Sequence, residues 1–278
     1  MSLLTLPAIR ADHRLGAAQF DVRPDALERW HPEVRAAVEG EASISIYDSI
    51  GESWDGQGFT SKRMSAALRS IGARDVVVNV NSPGGDFFEG VAIYNMLREH
   101  KAKVTIRVMG LAASAASVIA MAGDEILMGD GAFLMVHNAW AVAIGNRHDM
   151  ADAAARLEPF DAAMAQVYAS RSGLSVAEAA ALMDKETWIN STQAVEDGFA
   201  TGLIERADIT QDTKAQGGRK TLALVEASMA RAGHSRASRR EVFKSLFPGT
   251  PSAAGDDAMP SAGENAALLL SLTNALKV

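Results

Sequence analysis

The run Asp75-Val76-Val77-Val78-Asn79-Val80-Asn81 passes straight into Ser82-Pro83-Gly84-Gly85-Asp86 and then into a helical pattern over 87–97. β-Branched residues in succession suit a buried strand, because their stiff side chains pack well on a pleated surface. A proline followed by two glycines ends such a strand abruptly, and the turn it makes can point its amides outward unobstructed. The segment therefore reads as strand, tight turn and helix. Outward amides of this kind suit an anion. An ordinary connection with convenient glycines reads the same way, so this turn assigns no chemistry by itself.

A second segment repeats the pattern. Lys103-Val104-Thr105-Ile106-Arg107-Val108 alternates apolar and polar residues, as a half-buried strand does. Met109-Gly110-Leu111-Ala112-Ala113-Ser114-Ala115-Ala116-Ser117 follows, and residues 118–122 continue apolar as a buried helix would. Small residues at a strand-to-helix turn let the backbone bend tightly and leave the Ser114 hydroxyl uncovered. That is the general geometry of a nucleophile elbow, although the G-x-S-x-G pattern is missing. The third segment, Gly131-Ala132-Phe133-Leu134-Met135-Val136-His137-Asn138, is an apolar strand that ends on histidine. His13, His31 and His234 sit in polar stretches, His100 closes a helix, and His148 follows Arg147. Only His137 ends a buried strand, where an imidazole can be held as the base that a serine hydroxyl needs.

Asn81-Ser82-Pro83-Gly84-Gly85, Gly110-Leu111-Ala112-Ala113-Ser114 and Met135-Val136-His137 together resemble the signature blocks of the Clp protease proteolytic subunit family (ClpP, serine peptidases), in their order and approximate spacing. The resemblance covers about residues 40–206. It implies an α/β fold of the ClpP/crotonase type, built of stacked βα units with a projecting handle helix. It also implies Ser114 as nucleophile, His137 as general base, and the amides of Gly85 and Ala115 as the oxyanion hole. The family usually has a bulkier residue where Ala115 stands; a backbone donor tolerates the change. The family's closing block resembles residues 184–198, and matching Ala194-Val195-Glu196 and Gly198 places Glu186 at the position of the triad acid. Asp184, two residues earlier and on the same side of an extended chain, is the alternative. Glutamate can serve there, since the acid need only accept from the imidazole and stabilise its cation.

Composition restricts the alternatives. The 278 residues contain no cysteine, so disulfides, thiolate catalysis and cysteine-ligated metals are excluded. Histidine and carboxylate clusters at metal spacing are missing; the nearest, His148-Asp149, reads as a loop-to-helix transition. No metal and no cofactor is expected. A net charge of −7 argues against a nucleic-acid surface. No apolar run approaches the ~20 residues of a membrane span, and no secretory signal opens the chain, so a cytoplasmic location is expected.

Three parts are expected: an N-terminal extension (1–40), a ClpP-like peptidase domain (41–206), and a largely disordered C-terminal extension with short helices (207–278). The first should be polar and irregular, with short helical stretches around 24–30 and 33–38. Within the domain, 43–47 reads as a first strand and 61–71 as a first helix. Residues 149–171 form an alanine-rich helix that Pro159 should kink or restart. By resemblance, that helix is the handle pairing two homo-oligomeric rings, with Leu157, Phe160, Met164, Val167 and Tyr168 as its apolar stripe. In the extension, 221–225 should be a short helix or strand, 231–240 is basic, 248–264 should be disordered, and leucines recur at helical spacing over 265–278.

Trp30-His31-Pro32-Glu33-Val34, the 53–59 segment and an Arg/Ser/Ala-rich tail further resemble the ClpP-related head-maturation proteases of tailed phages and prophages. That implies protein substrates of the capsid, portal or scaffold class, cut in the host cytoplasm or inside the prohead without an obligatory ATPase. Three other readings stay open: a cellular Clp proteolytic subunit working with an unfoldase ATPase, a crotonase-type acyl-CoA enzyme using Glu89, and an inactive ring subunit.

Overall fold

In the computed structural model, residues 21–36, 42–53, 58–141, 143, 145–205, 209–211 and 218–246 are described. The expectations for the first 20 residues and for the tail beyond 246 lie outside them. From the N-terminus the chain forms α1 (Pro24–Arg29), β1 (Val34–Ala36), β2 (Ser43–Ile46), α2 (Ser61–Ile71), β3 (Val76–Ser82), α3 (Phe87–Arg98), β4 (Val104–Ala113), α4 (Ala115–Ala120), β5 (Glu125–Met128) and β6 (Phe133–Val136). It continues through α5 (Arg147–Ser172), α6 (Val176–Asp184), β7 (Thr187–Asn190), α7 (Ser191–Glu196), β8 (Gly202–Leu203), β9 (Ile209–Gln211), α8 (Gly218–Arg231) and α9 (Arg236–Leu246).

Strands β2, β3, β4, β5 and β8 lie side by side, all parallel, and the helices between them supply the crossovers that parallel pairing demands. This is the expected α/β architecture of stacked βα units. A parallel sheet is covered on both faces, so its strands read as nearly continuous apolar runs. Val76, Val78 and Val80 of β3 and Val104, Ile106 and Val108 of β4 are buried accordingly, against Met64, Ile93, Leu97 and Ile119 from the helices.

Strand β4 changes partner halfway along. Thr105 to Val108 pair with β5, whereas Leu111 to Ala113 pair with β6, which itself pairs antiparallel with β7. On the other side the register with β3 slips between Val80 and Ser82. Asn81 fills the irregularity: its Oδ1 accepts from the Leu111 amide (3.1 Å) and its Nδ2 donates to the carbonyls of His31 (2.7 Å) and Val34 (2.9 Å). The indole of Trp30 donates to the Asn81 carbonyl at 2.9 Å. A bulge re-aims the strand beyond it, and here it delivers the end of β4 to β6.

Three local expectations change. Where a helical stretch is expected around 33–38, residues 34–36 form a strand, because β1 pairs antiparallel with β9 far along the chain, Val34 opposite Gln211. Pro159 does not restart its helix. α5 runs unbroken for 26 residues, and the proline sits on an exposed stretch where water can take the freed carbonyl. The apolar stripe of α5 is core from Phe160 onward, while Met150 near the other end is exposed. The 221–225 stretch is helical, within α8, which packs on α1. No helix among the described residues is long and apolar enough to cross a membrane.

Candidate active site

Ser114 occupies the N-cap of α4, yet its hydroxyl caps nothing. An N-cap serine normally accepts a hydrogen bond from an amide of the first helical turn. Here the backbone takes φ 54° and ψ −125°, which carries the side chain away from those amides. Such a conformation costs a non-glycine residue of order 1–3 kcal/mol and persists only where the surroundings over-determine it. They do so on several sides. The Ser114 amide donates to the Met135 carbonyl at 3.0 Å, and the Ser114 carbonyl accepts from Ser117 Oγ at 2.6 Å. Ser117 Oγ also meets the Tyr168 hydroxyl at 2.8 Å. Since the single Ser117 proton serves the carbonyl, Tyr168 is the donor in that second bond. Tyr168 is fully buried, and burial holds its phenol well above the usual range, so it stays protonated to donate. The sequence marks Tyr168 only as part of an apolar stripe and Ser117 only as the end of the small-residue run; their roles need the turn of α4 to face α5.

The glycine turn lies directly against the serine. A Cβ on Gly84 would stand 2.5 Å from the Ala113 carbonyl oxygen and 2.7 Å from Ser114 Cβ; one on Gly85 would stand 2.2 Å from the Ile50 carbonyl oxygen. Both glycines have positive φ, at 86° and 148°. The turn is pinned on its far side, where Ile50 donates to Gly84 (2.8 Å) and accepts from Asp86 (2.9 Å). Among the described residues neither the Gly85 nor the Ala115 amide has an acceptor. The crotonase glutamate, Glu89, is engaged elsewhere, accepting from the Ser61 amide at the start of α2.

His137 follows β6 directly. Since Ala113 pairs with Met135, the ends of β4 and β6 bring Ser114 and His137 to the same edge of the sheet. The imidazole is only 4% exposed, and neither ring nitrogen has a hydrogen-bond partner. Burial first, and the Arg23 guanidinium second, lower its pKa to about 4, against the opposing pull of Glu186, the nearby Asn138 backbone and Asp25. A neutral imidazole is the state a general base requires.

Among the described residues no carboxylate hydrogen-bonds to that ring. Glu186, itself at φ 51°, gives both oxygens to Arg23, Oε2 at 2.8 Å from Nη2 and Oε1 closer still to Nη1. Asp184 instead accepts from Asn138 Nδ2 at 2.8 Å, and its charge raises the carboxyl of half-buried Asp161, already raised by burial. The structure thus gathers Ser114, His137, Gly85 and Ala115 at one strand edge and leaves both acids paired with other residues. Arg23 went unnoticed in the sequence because nothing local marks it. No group of three or more metal-ligating side chains occurs among the described residues, and Asp149 beside His148 completes a capping box with Asn146.

Comparison with known proteins agrees with this architecture. The Clp protease family model matches residues 34–207. The chain is 31% identical over 137 residues to ATP-dependent Clp protease proteolytic subunit 2 of Rhodococcus jostii (strain RHA1), covering 49% of this chain and 70% of that protein. It is 32% identical over 135 residues to the ATP-dependent Clp protease proteolytic subunit of Streptococcus pneumoniae (strain Hungary19A-6), covering 47% and 69%. With the family match spanning more than half of its length and a parallel βα sheet of the same kind, the chain belongs to the Clp protease family, a family of peptidases.

Proposed function

We propose that this chain is a serine endopeptidase in which Ser114 attacks the peptide carbonyl. His137 takes the serine proton and returns it to the leaving amine, and the amides of Gly85 and Ala115 hold the oxyanion. One observation carries the reading: a serine at a helix N-cap spends neither its hydroxyl nor the adjoining amides on capping, and a glycine turn and a buried neutral histidine lie beside it. Glu186 is the acid that we assign to the third place, because its charge already reaches the imidazole. Beside these strands opens a cleft of about 600 Å³, with Leu111, Phe133 and Trp188 in its wall, roomy enough for apolar substrate side chains.

Ser117 and Tyr168 act as positioning residues in this scheme. Tyr168→Phe removes one buried hydrogen bond, worth about 1 kcal/mol of stability. It should slow the chemical step several-fold while leaving KM nearly unchanged, because the serine backbone loosens and the binding surface does not. Steady-state kinetics on a peptide ester, beside a thermal melt, check both; a change confined to KM would remove the positioning role.

For the substrate we propose phage head proteins, cut as part of a homo-oligomeric ring without an obligatory unfoldase. The support is the layout of the N-terminal segment and basic tail. The names of the relatives favour a second reading, an ATP-dependent subunit fed by an unfoldase. Incubation of the chain with portal and major capsid protein, with and without an ATP-driven unfoldase, separates them. Cleavage without ATP is the expected result; cleavage only with unfoldase and ATP selects the second reading.

A further inference from the structure

Residues 21–30 and the α8–α9 pair lie over the catalytic edge of the sheet. Ala26, Leu27 and Trp30 from around α1, together with Ala227 of α8, form an apolar cluster with Leu111, Ala113 and Met135. Ala113 directly precedes the serine, and Met135 lies two residues before the histidine. Charges fasten the same elements. Arg236 pairs with Asp86 at 3.0 Å, one residue from Gly85, through the oxygen that is not capping α3. Arg239, 1% exposed, pairs with Asp21 at 2.8 Å, and Arg219 and Arg240 reach Asp48 and Glu52. Lys220 donates to the Glu28 carbonyl, and the Arg29 guanidinium lies 4.1 Å over the Trp188 ring.

The extended stretch from Asp21 to Arg23 runs from the glycine turn to the acid. Asp21 and Val22 border a cavity beside Gly85 and Asp86, with Arg236 and Arg239 across it. Its volume is about 40 Å³, room for a few waters at about 10–15 Å³ each and not for a peptide. One residue on, Arg23 holds both oxygens of Glu186, the carboxylate that would otherwise be available to the unpartnered imidazole.

We propose that residues 21–30 and helices α8 and α9 are an intramolecular inhibitor of this active centre, with Arg23 withholding Glu186 from His137 and the helices covering the oxyanion turn until they are displaced. The inference rests on the peptidase assignment of Ser114, His137 and Glu186. Displacement does two things at once: it opens the space beside Gly85 to a substrate strand and frees Glu186 to accept from the imidazole. The charged groups that reach His137 are Arg23 and Asp25 from the inhibitory segment and Glu186 from the turn before β7. Removing Arg23 therefore leaves only carboxylates near the ring and raises its pKa.

The test uses the full chain and a fluorophosphonate probe, with the labelling rate of Ser114 followed by intact mass from pH 4 to 8. Arg23→Gln should label about tenfold faster than the wild type at pH 7, as expected if the engaged state outweighs the open one by about that ratio in the wild type. Its acid limb should also move upward from near pH 4, because the active base is the neutral imidazole and its pKa has risen. Arg236→Glu, which places like charge beside Asp86, should accelerate labelling as well, because it loosens the helices from the oxyanion turn. It guards against a folding defect in the first variant, and circular dichroism checks both. If the wild type labels and both variants label no faster, the inhibitor is overturned and the peptidase assignment stands. If none of the three chains labels at Ser114, the peptidase assignment falls and takes the inhibitor with it.

Discussion

Ser114→Ala should reduce peptide hydrolysis by about 10⁴-fold or more while leaving the melting temperature within a few degrees of the wild type. The two halves of this expectation have separate causes. In the proposed mechanism activity falls because the hydroxyl that attacks the carbonyl is gone, and what remains is stabilisation by the Gly85 and Ala115 amides. Stability holds because the Ser114 hydroxyl makes no hydrogen bond in the cap, so its removal orphans no partner. Alanine also tolerates φ 54° no worse than serine does, and the backbone bonds to Met135 and Ser117 are untouched. Hydrolysis of a fluorogenic peptide and a thermal melt read the two. Activity close to the wild type would remove the central assignment. In the same assay Glu186→Gln should lose far more activity than Asp184→Asn, whose carboxylate is engaged by Asn138; equal small losses would exclude Glu186 from the triad.

The second large effect is expected from a single methyl group. Gly84→Ala puts a Cβ 2.5 Å from the Ala113 carbonyl oxygen and 2.7 Å from Ser114 Cβ, at φ 86°. Neither neighbour is the loose end of a flexible side chain, so the turn and the serine must separate. We expect about 2–4 kcal/mol of lost stability, combining overpacking with positive-φ strain. Activity should fall by about 10²-fold, the scale of a 1 Å misplacement of reacting groups. Gly131→Ala is the matched control: its φ is 73° but its Cβ would meet nothing within 4 Å. It should lose about 1 kcal/mol through strain alone and keep its activity. Similar activity losses in both variants would show that backbone strain, not the contact with Ser114, is responsible.

Much of the fold was open to a reading of local pattern. Strands β3, β4 and β6 follow apolar runs whose β-branched residues need no distant information to be recognised, and helix α2 spans the same 61–71 stretch that its pattern marks. The misreadings occur where a distant partner or solvent overrides local preference. Residues 34–36 are extended because β9 pairs with them, and Pro159 is accommodated because its stretch of α5 is open to water. Asn81 lies within a recognised motif, yet its work is to tie the Trp30–Val34 segment to the slipped register of β4, which becomes visible only in three dimensions.

The sequence by itself determined where Ser114, His137 and the two glycines fall in the chain: each stands just beyond an apolar strand, and a parallel sheet brings such ends together on one edge. Strand and turn preferences act over a few residues, so their record is local. Tertiary structure alone decided the state of that edge. Arg23 meets Glu186 across 163 residues of chain, and Arg236 meets Asp86 across 150. Ion pairs of that span depend on which surfaces pack together, and packing is set by the whole apolar core, not by the spacing of charges along the chain.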